Sequence, residues 1–475
     1  MTPTVFICLM IVAVALLTFM TLKLKMHPVM TLFIISAFLG IALGDSLLET
    51  MQKINEYFGS TLSGIGITII FGAIIAMGIQ DTGAATRITN FFIKLFKGKR
   101  LELAPSLSAF VMSLSVFGDI TMVLTSPIAA ILALRKKINM VIMAPYVNLG
   151  LTLTHGLIPP TPGILAVAIL LGADIGQVII WGFVISLVSF VLTYILTRPI
   201  LAKGEFIPPN PEFTEGYKPA PKGASLNELY IKEDNIPSTF LSFMPLIIPL
   251  ILISIGSFAN MIFEEGSTAY TVLASIGDKT FALFVGVILV ALLVMKRKQK
   301  VLNNAQKHEF EVPNNASALE ISMNNWVVRA LKIAIIPLII TGMGGAMGGI
   351  LRESPVIDEI GDSIISMNFP TLLIPFALAA ILMAVTGSMT IAAMTAAALV
   401  YPMLGALGLS PVVATLAVGA GSMVFWHVNN SGFWMMTSLF NFNTRQGLKY
   451  FTTINGLGGI VAFAVLCIIA FLGWA

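Results

Sequence analysis

The sequence predicts an all-α polytopic membrane protein made of two inverted repeats with discontinuous helices, and three observations carry that prediction. The first is composition: 475 residues, 57% hydrophobic, 11% charged and a mean hydropathy of +0.93, against about 25% charged residues in soluble domains. The second is a series of apolar runs near the ~20 residues that a helix needs to cross a hydrocarbon core of about 30 Å. The third is that some of these runs are broken, at corresponding places in the two halves, by residues that a membrane helix avoids.

In chain order the apolar runs are 4–22, 28–44, 59–79, 138–172, 175–197, 241–262, 279–295, 326–350, 408–440 and 450–473. Their length excludes the short alternating segments of a closed barrel. The first run lacks a small-residue cleavage site after it and reads as a retained span, not a signal peptide. The net charge of +4 is spread over loops and gives no nucleic-acid surface. Cys8 and Cys467 sit in the first and last spans, where neither a framework disulfide nor a metal pair is expected. No cofactor is expected either.

Two halves emerge when the chain is laid on itself. "QDTGA" (80–84) meets "RESPV" (352–356), and His155 meets His427, at one offset that also lays 59–79 on 331–351 and 175–197 on 447–469. "GDIT" (118–121) and "GSMT" (387–390) correspond after a three-residue slip. Lysine and arginine set the orientation. Segment 105–134 is flanked by "KLFKGKR" (94–100) and "RKK" (135–137), so both its ends belong in the cytoplasm and it reads as a re-entrant hairpin. Its counterpart, 368–403, is flanked by the acidic "RESPVIDEIGD" (352–362) and the uncharged "LGALGLS" (404–410), so it enters from outside. The halves are therefore inverted, each with five crossings and one hairpin, and both termini lie outside. The first repeat is 1–200, with hairpin 105–134 and broken helix 138–172; 201–237 is a proline-rich cytoplasmic connector; the second repeat is 238–475, with cytoplasmic loop 296–325, hairpin 368–403 and broken helix 408–440.

Unpaired backbone in hydrocarbon costs several kcal/mol per group, so irregular chain at membrane depth persists only inside protein or beside a water-filled cavity. Inverted repeats with broken helices at matching positions point to a secondary transporter whose substrate sits where the breaks meet. The breaks "THGLIPPTPG" (154–163) and "WHVNNSGFW" (426–434) and the hairpin tips "FGDIT" (117–121) and "TGSMT" (386–390) hold no lysine or arginine. Helix N-termini with free N–H groups suit a carboxylate without a buried cation, and neutral hydroxyl and amide side chains suit a polyhydroxylated remainder. A small organic anion is the leading ligand class.

"THGLIPPTPGILAVA", "GSMTIAAMTAA" and "HVNNSGFW" resemble the signature segments of the gluconate permease (GntP) family, over essentially the whole chain. That resemblance implies proton-coupled import of gluconate or a related hydroxy acid across a bacterial inner membrane. It also implies the ion-transporter superfamily architecture: a scaffold domain holding a homodimer, and a transport domain carrying hairpins and broken helices in elevator-type alternating access. The family also includes D-serine transporters, and sodium remains the rival coupling ion. In one departure, many members carry an acid after "HVN" where this chain has Asn430, so no proton is carried there.

The substrate-lining candidates are Thr154, His155, Gly156 and Thr161 in the first break, Gly387, Ser388 and Thr390 in the second hairpin, and His427, Asn429, Asn430 and Ser431 in the second break. Each hydroxyl also has the plainer option of bonding back to its own helix. Asp119 is the one acid in the four breaks and reads either as the N-cap of a half-helix 120–134 or as the group that binds the coupling cation. His155 and His427 share that coupling role or are neutral packing residues. Gly118, Thr121, Pro159, Pro160, Pro162 and Gly432 shape the breaks, and Trp426 and Trp434 read as packing. An anion channel would want a continuous polar pore or charged ring, and an intramembrane enzyme a nucleophile, base and orienter at recognisable spacing. Neither pattern is present in the sequence.

Overall fold

Helix after helix follows from the apolar runs, because a segment with no water around it must pair its backbone N–H and C=O groups within itself. The computed structural model describes residues 3–114, 116, 118–215, 218–219, 234–264, 266–306, 312–352, 370–428 and 430–473, and among these there is no β-strand. The helices of the first half are α1 (Pro3–Leu22), α2 (Pro28–Leu43), α3 (Leu47–Thr82), α4 (Ala84–Leu95), α5 (Leu103–Met112), α6 (Gly118–Lys136), α7 (Met140–Leu157), α8 (Pro162–Leu171) and α9 (Ile175–Leu201). After a one-turn helix at Pro211–Thr214 come α10 (Thr239–Ile262), α11 (Thr268–Ile276), α12 (Lys279–Met295), α13 (Lys298–Ala305) and α14 (Trp326–Arg352). The last set is α15 (Leu373–Thr386), α16 (Met389–Val400), α17 (Pro411–Gly421), α18 (Ser431–Leu439) and α19 (Thr453–Phe471).

All four expected interruptions fall between helices. The segment 105–134 is α5 and α6, 138–172 is α7 and α8, 368–403 is α15 and α16, and 408–440 is α17 and α18 with irregular chain between. Three boundaries differ from the sequence expectation. The run 59–79 is only the inner part of α3, which starts at Leu47 under a capping box of Ser46 and Glu49 and bends by 45° near Gly64–Gly66; the polar "ETMQKINEY" that opens it hides a helix from hydropathy. Loop 296–325 contains α13, and its last residues 318–325 wind directly into α14. The stretch between α10 and α12 folds into α11, which sits at 52° to α12. The acidic flank of the second hairpin, 353–362, lies outside the described residues.

Small residues set how closely these helices approach. On α14, Gly345 and Gly349 lie against Thr61 and Tyr57 of α3 so tightly that a Cβ would collide with either side chain, while on its other face Gly344 and Gly348 lie 3.1 and 3.2 Å, measured from an ideal Cβ, from Met394 and Ala398 of α16. The tract "AAMTAAA" (392–398) is buried throughout, as a close-packed helix requires. The outer faces of α9 and α10 expose Phe183, Leu187, Val191, Ile195, Ile251 and Phe258.

One strong polar contact was invisible in the sequence. Asp81, at the end of α3, is fully buried and takes two bonds from the Arg329 guanidinium, at 2.6 and 3.2 Å, and one from the Trp326 indole at 2.8 Å. The Asn304 amide donates to the Asp81 carbonyl at 2.9 Å. This fork-to-fork pair ties the two halves of the chain together. Glu205, beyond the end of α9, accepts from the Gln446 amide and the Tyr450 phenol at 3.1 and 3.2 Å, and these bonds, with Lys449 nearby, hold its carboxyl below the usual range.

Candidate substrate-binding site

Each of the four interruptions presents a helix N-terminus: α6 at the first hairpin tip, α8 after the first break, α16 at the second hairpin tip and α18 after the second break. Local sequence explains why. Pro162 takes the first position of α8, where a missing N–H costs nothing. Gly387 holds a φ of +66° to end α15, and Ser388 then caps α16 by accepting from the Ile391 N–H at 3.4 Å. Asn430 caps α18, its Oδ1 accepting from Phe433 N–H at 3.1 Å. Helix α6 starts at Gly118, two residues before the expected 120–134, so Asp119 is its second residue and not the cap that precedes it.

The N-termini meet in pairs. An ideal Cβ on Gly163 of α8 lies 3.4 Å from the Thr390 hydroxyl of α16, and one on Gly432 of α18 lies 3.3 Å from Met122 of α6. The Asn430 amide joins the pairs by donating to the Gly387 carbonyl at 2.6 Å. Gly156 packs against Met389 and Met423, and Gly419 against the Gly156 carbonyl, so the two broken helices also touch each other. Elements from both hairpins and both broken helices therefore converge within one region.

Some candidate side chains are occupied within their own break. Thr161 donates to the carbonyls of His155 and Ile158, at 2.8 and 3.0 Å, and so closes the turn that contains the buried Pro159 and Pro160. Thr154 is fully buried and bonds back to Gly150 and Leu151 of its own helix. Ser388, Thr390 and His427 are half-buried at the tips. His155 is half-buried too, and its Nδ1 is buried without a hydrogen-bond partner among the described residues. Trp426 is packed against Phe433 as expected, whereas Trp434 is exposed and donates to the Val428 carbonyl. Asn429 lies outside the described residues, and of the side chains of Asp119 and Ser431 nothing is described.

Sequence reasoning passed over two buried amides. Asn455 of α19 accepts from Thr152 of α7 and donates to the Met423 carbonyl at 3.1 Å, which fixes α7 to the start of the second break. Asn148, one turn earlier on α7, is buried with no partner for its side-chain oxygen or nitrogen among the described residues. A search for lone amides inside apolar runs would have found both.

Many apolar helices, opened at four places whose N-termini face one another, define a multi-pass membrane transporter. The profile of the GntP family permeases matches residues 5–472, and the chain belongs to that family. It is 28% identical over 459 residues to the high-affinity gluconate transporter of Escherichia coli K12, covering 96% of this chain and 98% of that one. It is 28% identical to the Gnt-II system L-idonate transporter of the same organism, covering 94% and 97%, and 26% identical to the gluconate permease of Pseudomonas aeruginosa, covering 94% of each. Among solved structures it resembles the Alcanivorax borkumensis YdaH transporter, described as having an unusual topology, with a TM-score of 0.61 at 14% identity over 94% of this chain and 99% of that one. The likeness to YdaH is one of fold. The chain is thus a multi-pass permease of the bacterial inner membrane.

Proposed function

We propose that this permease imports gluconate or a related small hydroxy acid anion by proton symport. The observation that carries the reading is the convergence of four helix N-termini in a region whose breaks contain no lysine or arginine. Each terminus supplies free N–H donors and about half a positive charge, so paired termini hold a carboxylate, while Thr390, Ser388 and Asn430 add neutral donors and acceptors. The names of the relatives, gluconate and L-idonate transporters, support the same substrate class. Counterflow tests it: liposomes preloaded with unlabelled gluconate should take up labelled gluconate through the purified protein and return it chemically unchanged. No exchange with gluconate or other hydroxy acids would refute the reading, and conduction without exchange would favour a channel.

The same reading treats 1–200 and 238–475 as inverted repeats and the hairpins as parts of a moving transport domain in a homodimer, an elevator arrangement. The basic flanks of 105–134 support a hairpin that enters from and returns to the cytoplasm. Single cysteines at positions 98 and 137, in a background lacking Cys8 and Cys467, should both label from the cytoplasmic side only. Labelling from opposite sides would end both the hairpin and the inverted repeat.

A further inference from the structure

The connector between the two halves reads as a loose, proline-rich link, yet its first ten residues, 205–214, are bonded into the protein. Ile207 and Asn210 are buried on it, at 2% and 9% exposed. The elements that hold this stretch are the same ones that reach the candidate site.

The first is α7. Asn139, its cap, donates through Nδ2 to the Glu205 carbonyl at 2.8 Å and accepts the Ile207 N–H through Oδ1 at 3.0 Å, and the Met140 N–H donates to the Ile207 carbonyl at 3.1 Å. The second is α18. Asn210 donates through Nδ2 to the carbonyls of Ser438 and Leu439, at 3.2 and 3.3 Å, in the last turn, where helical carbonyls run out of partners. Just beyond α18, the Asn441 amide donates to the Pro208 carbonyl at 3.3 Å, and Glu205 takes the bonds from Gln446 and Tyr450. The third is α6. Asn210 Oδ1 accepts the Glu212 N–H at 3.1 Å and so caps the one-turn helix Pro211–Thr214, which packs against α6.

Helices α6, α7 and α18 each have one end at a break and the other at this stretch, and at the break end Gly432 of α18 already meets Met122 of α6. Two of the three belong to the first half of the chain and one to the second. An amide that donates and accepts at once fixes its neighbours in distance and direction, so these helices cannot slide past one another without breaking several bonds together. We propose that residues 205–214 are a clasp that keeps α6, α7 and α18 one rigid body while substrate is carried. The first hairpin then moves with the second broken helix and not against it, and the shear or hinge motion that exposes the site lies elsewhere in the fold.

Asn210→Asp tests the clasp, because it keeps the size and the cap on Pro211–Thr214 but turns a donor into an acceptor facing two carbonyls. Counterflow of labelled gluconate should slow about tenfold in this variant. Cysteines in place of Glu212 and Ser438, whose side chains carry none of these bonds, are then joined by a short bis-maleimide in a background lacking Cys8 and Cys467. Joining should restore exchange to Asn210→Asp and leave the otherwise wild-type protein as fast as before. Slower exchange on joining the wild-type ends would show that they must part, and would overturn the proposal, as would normal exchange by Asn210→Asp or a link that fails to rescue it. The exchange readout rests on the hydroxy-acid reading given above; a distance readout does not. Spin labels on Lys136→Cys and Thr444→Cys should give one narrow distance in the wild-type protein and a broad one in Asn210→Asp. Two distances in the wild type, or a narrow one in the variant, would overturn the clasp even if no hydroxy acid is exchanged, whereas absent exchange with the expected distances would fail the substrate reading alone.

Discussion

Asp81→Ala is expected to cost about 3–5 kcal/mol of folding stability, because it strands the Arg329 guanidinium inside the protein. The pair is well shielded: the Asp81 side chain is fully buried and that of Arg329 is 5% exposed. The substitution also deprives the Trp326 indole N–H of its acceptor. Desolvation makes such a pair a weak source of net stability, yet makes half of it far worse than none. The double variant Asp81→Leu, Arg329→Leu should therefore recover most of the loss. Thermal unfolding of detergent-purified protein reads both. An Asp81→Ala protein that melts like wild type would show that Arg329 finds water or another acceptor there.

Asp119→Asn is expected to abolish accumulation of substrate against a gradient while preserving exchange. Asparagine keeps the size and much of the hydrogen-bonding capacity at the second position of α6, but it cannot ionise. A carrier that can no longer change protonation has no differential affinity through which a proton gradient could shift its conformations. A residue that contacts substrate would instead weaken exchange as well, and a purely structural one would lower the yield of folded protein. His155→Gln and His427→Gln are the necessary comparison, since imidazole titrates closer to physiological pH than an ordinary carboxyl. Uptake by liposomes under an imposed pH gradient separates these cases, and normal uphill uptake by Asp119→Asn would leave the histidines as the coupling candidates.

What could be read from the sequence depended on how far each signal reaches along the chain. The breaks were legible because Gly387, Pro162 and Asn430 are local punctuation: a positive φ, a missing N–H and a cap act within one turn. The start of α3 was not, because Glu49, Gln52, Lys53 and Glu56 lower hydropathy without weakening a helix. The Asp81–Arg329 pair was hidden for a different reason. Its members are separated by more than half the chain, and nothing near either residue marks the other. Thr154 shows the limit from the other side, since composition marks it as polar and only the structure shows its hydroxyl bonded back to Gly150 and Leu151. Likewise Asn148 is one polar letter in "MAPYVNLGL", and its unpaired state exists only in three dimensions.

The most direct measurement is uptake of labelled gluconate by liposomes containing only the purified protein, with the pH set lower outside than inside. The account predicts accumulation above the external concentration, recovery of unaltered gluconate from the lumen, and collapse to equilibrium when a protonophore is added. Accumulation that ignores the protonophore but follows a sodium gradient would contradict proton coupling. No gluconate movement under either gradient would contradict the central claim that the four facing helix N-termini form a hydroxy-acid site.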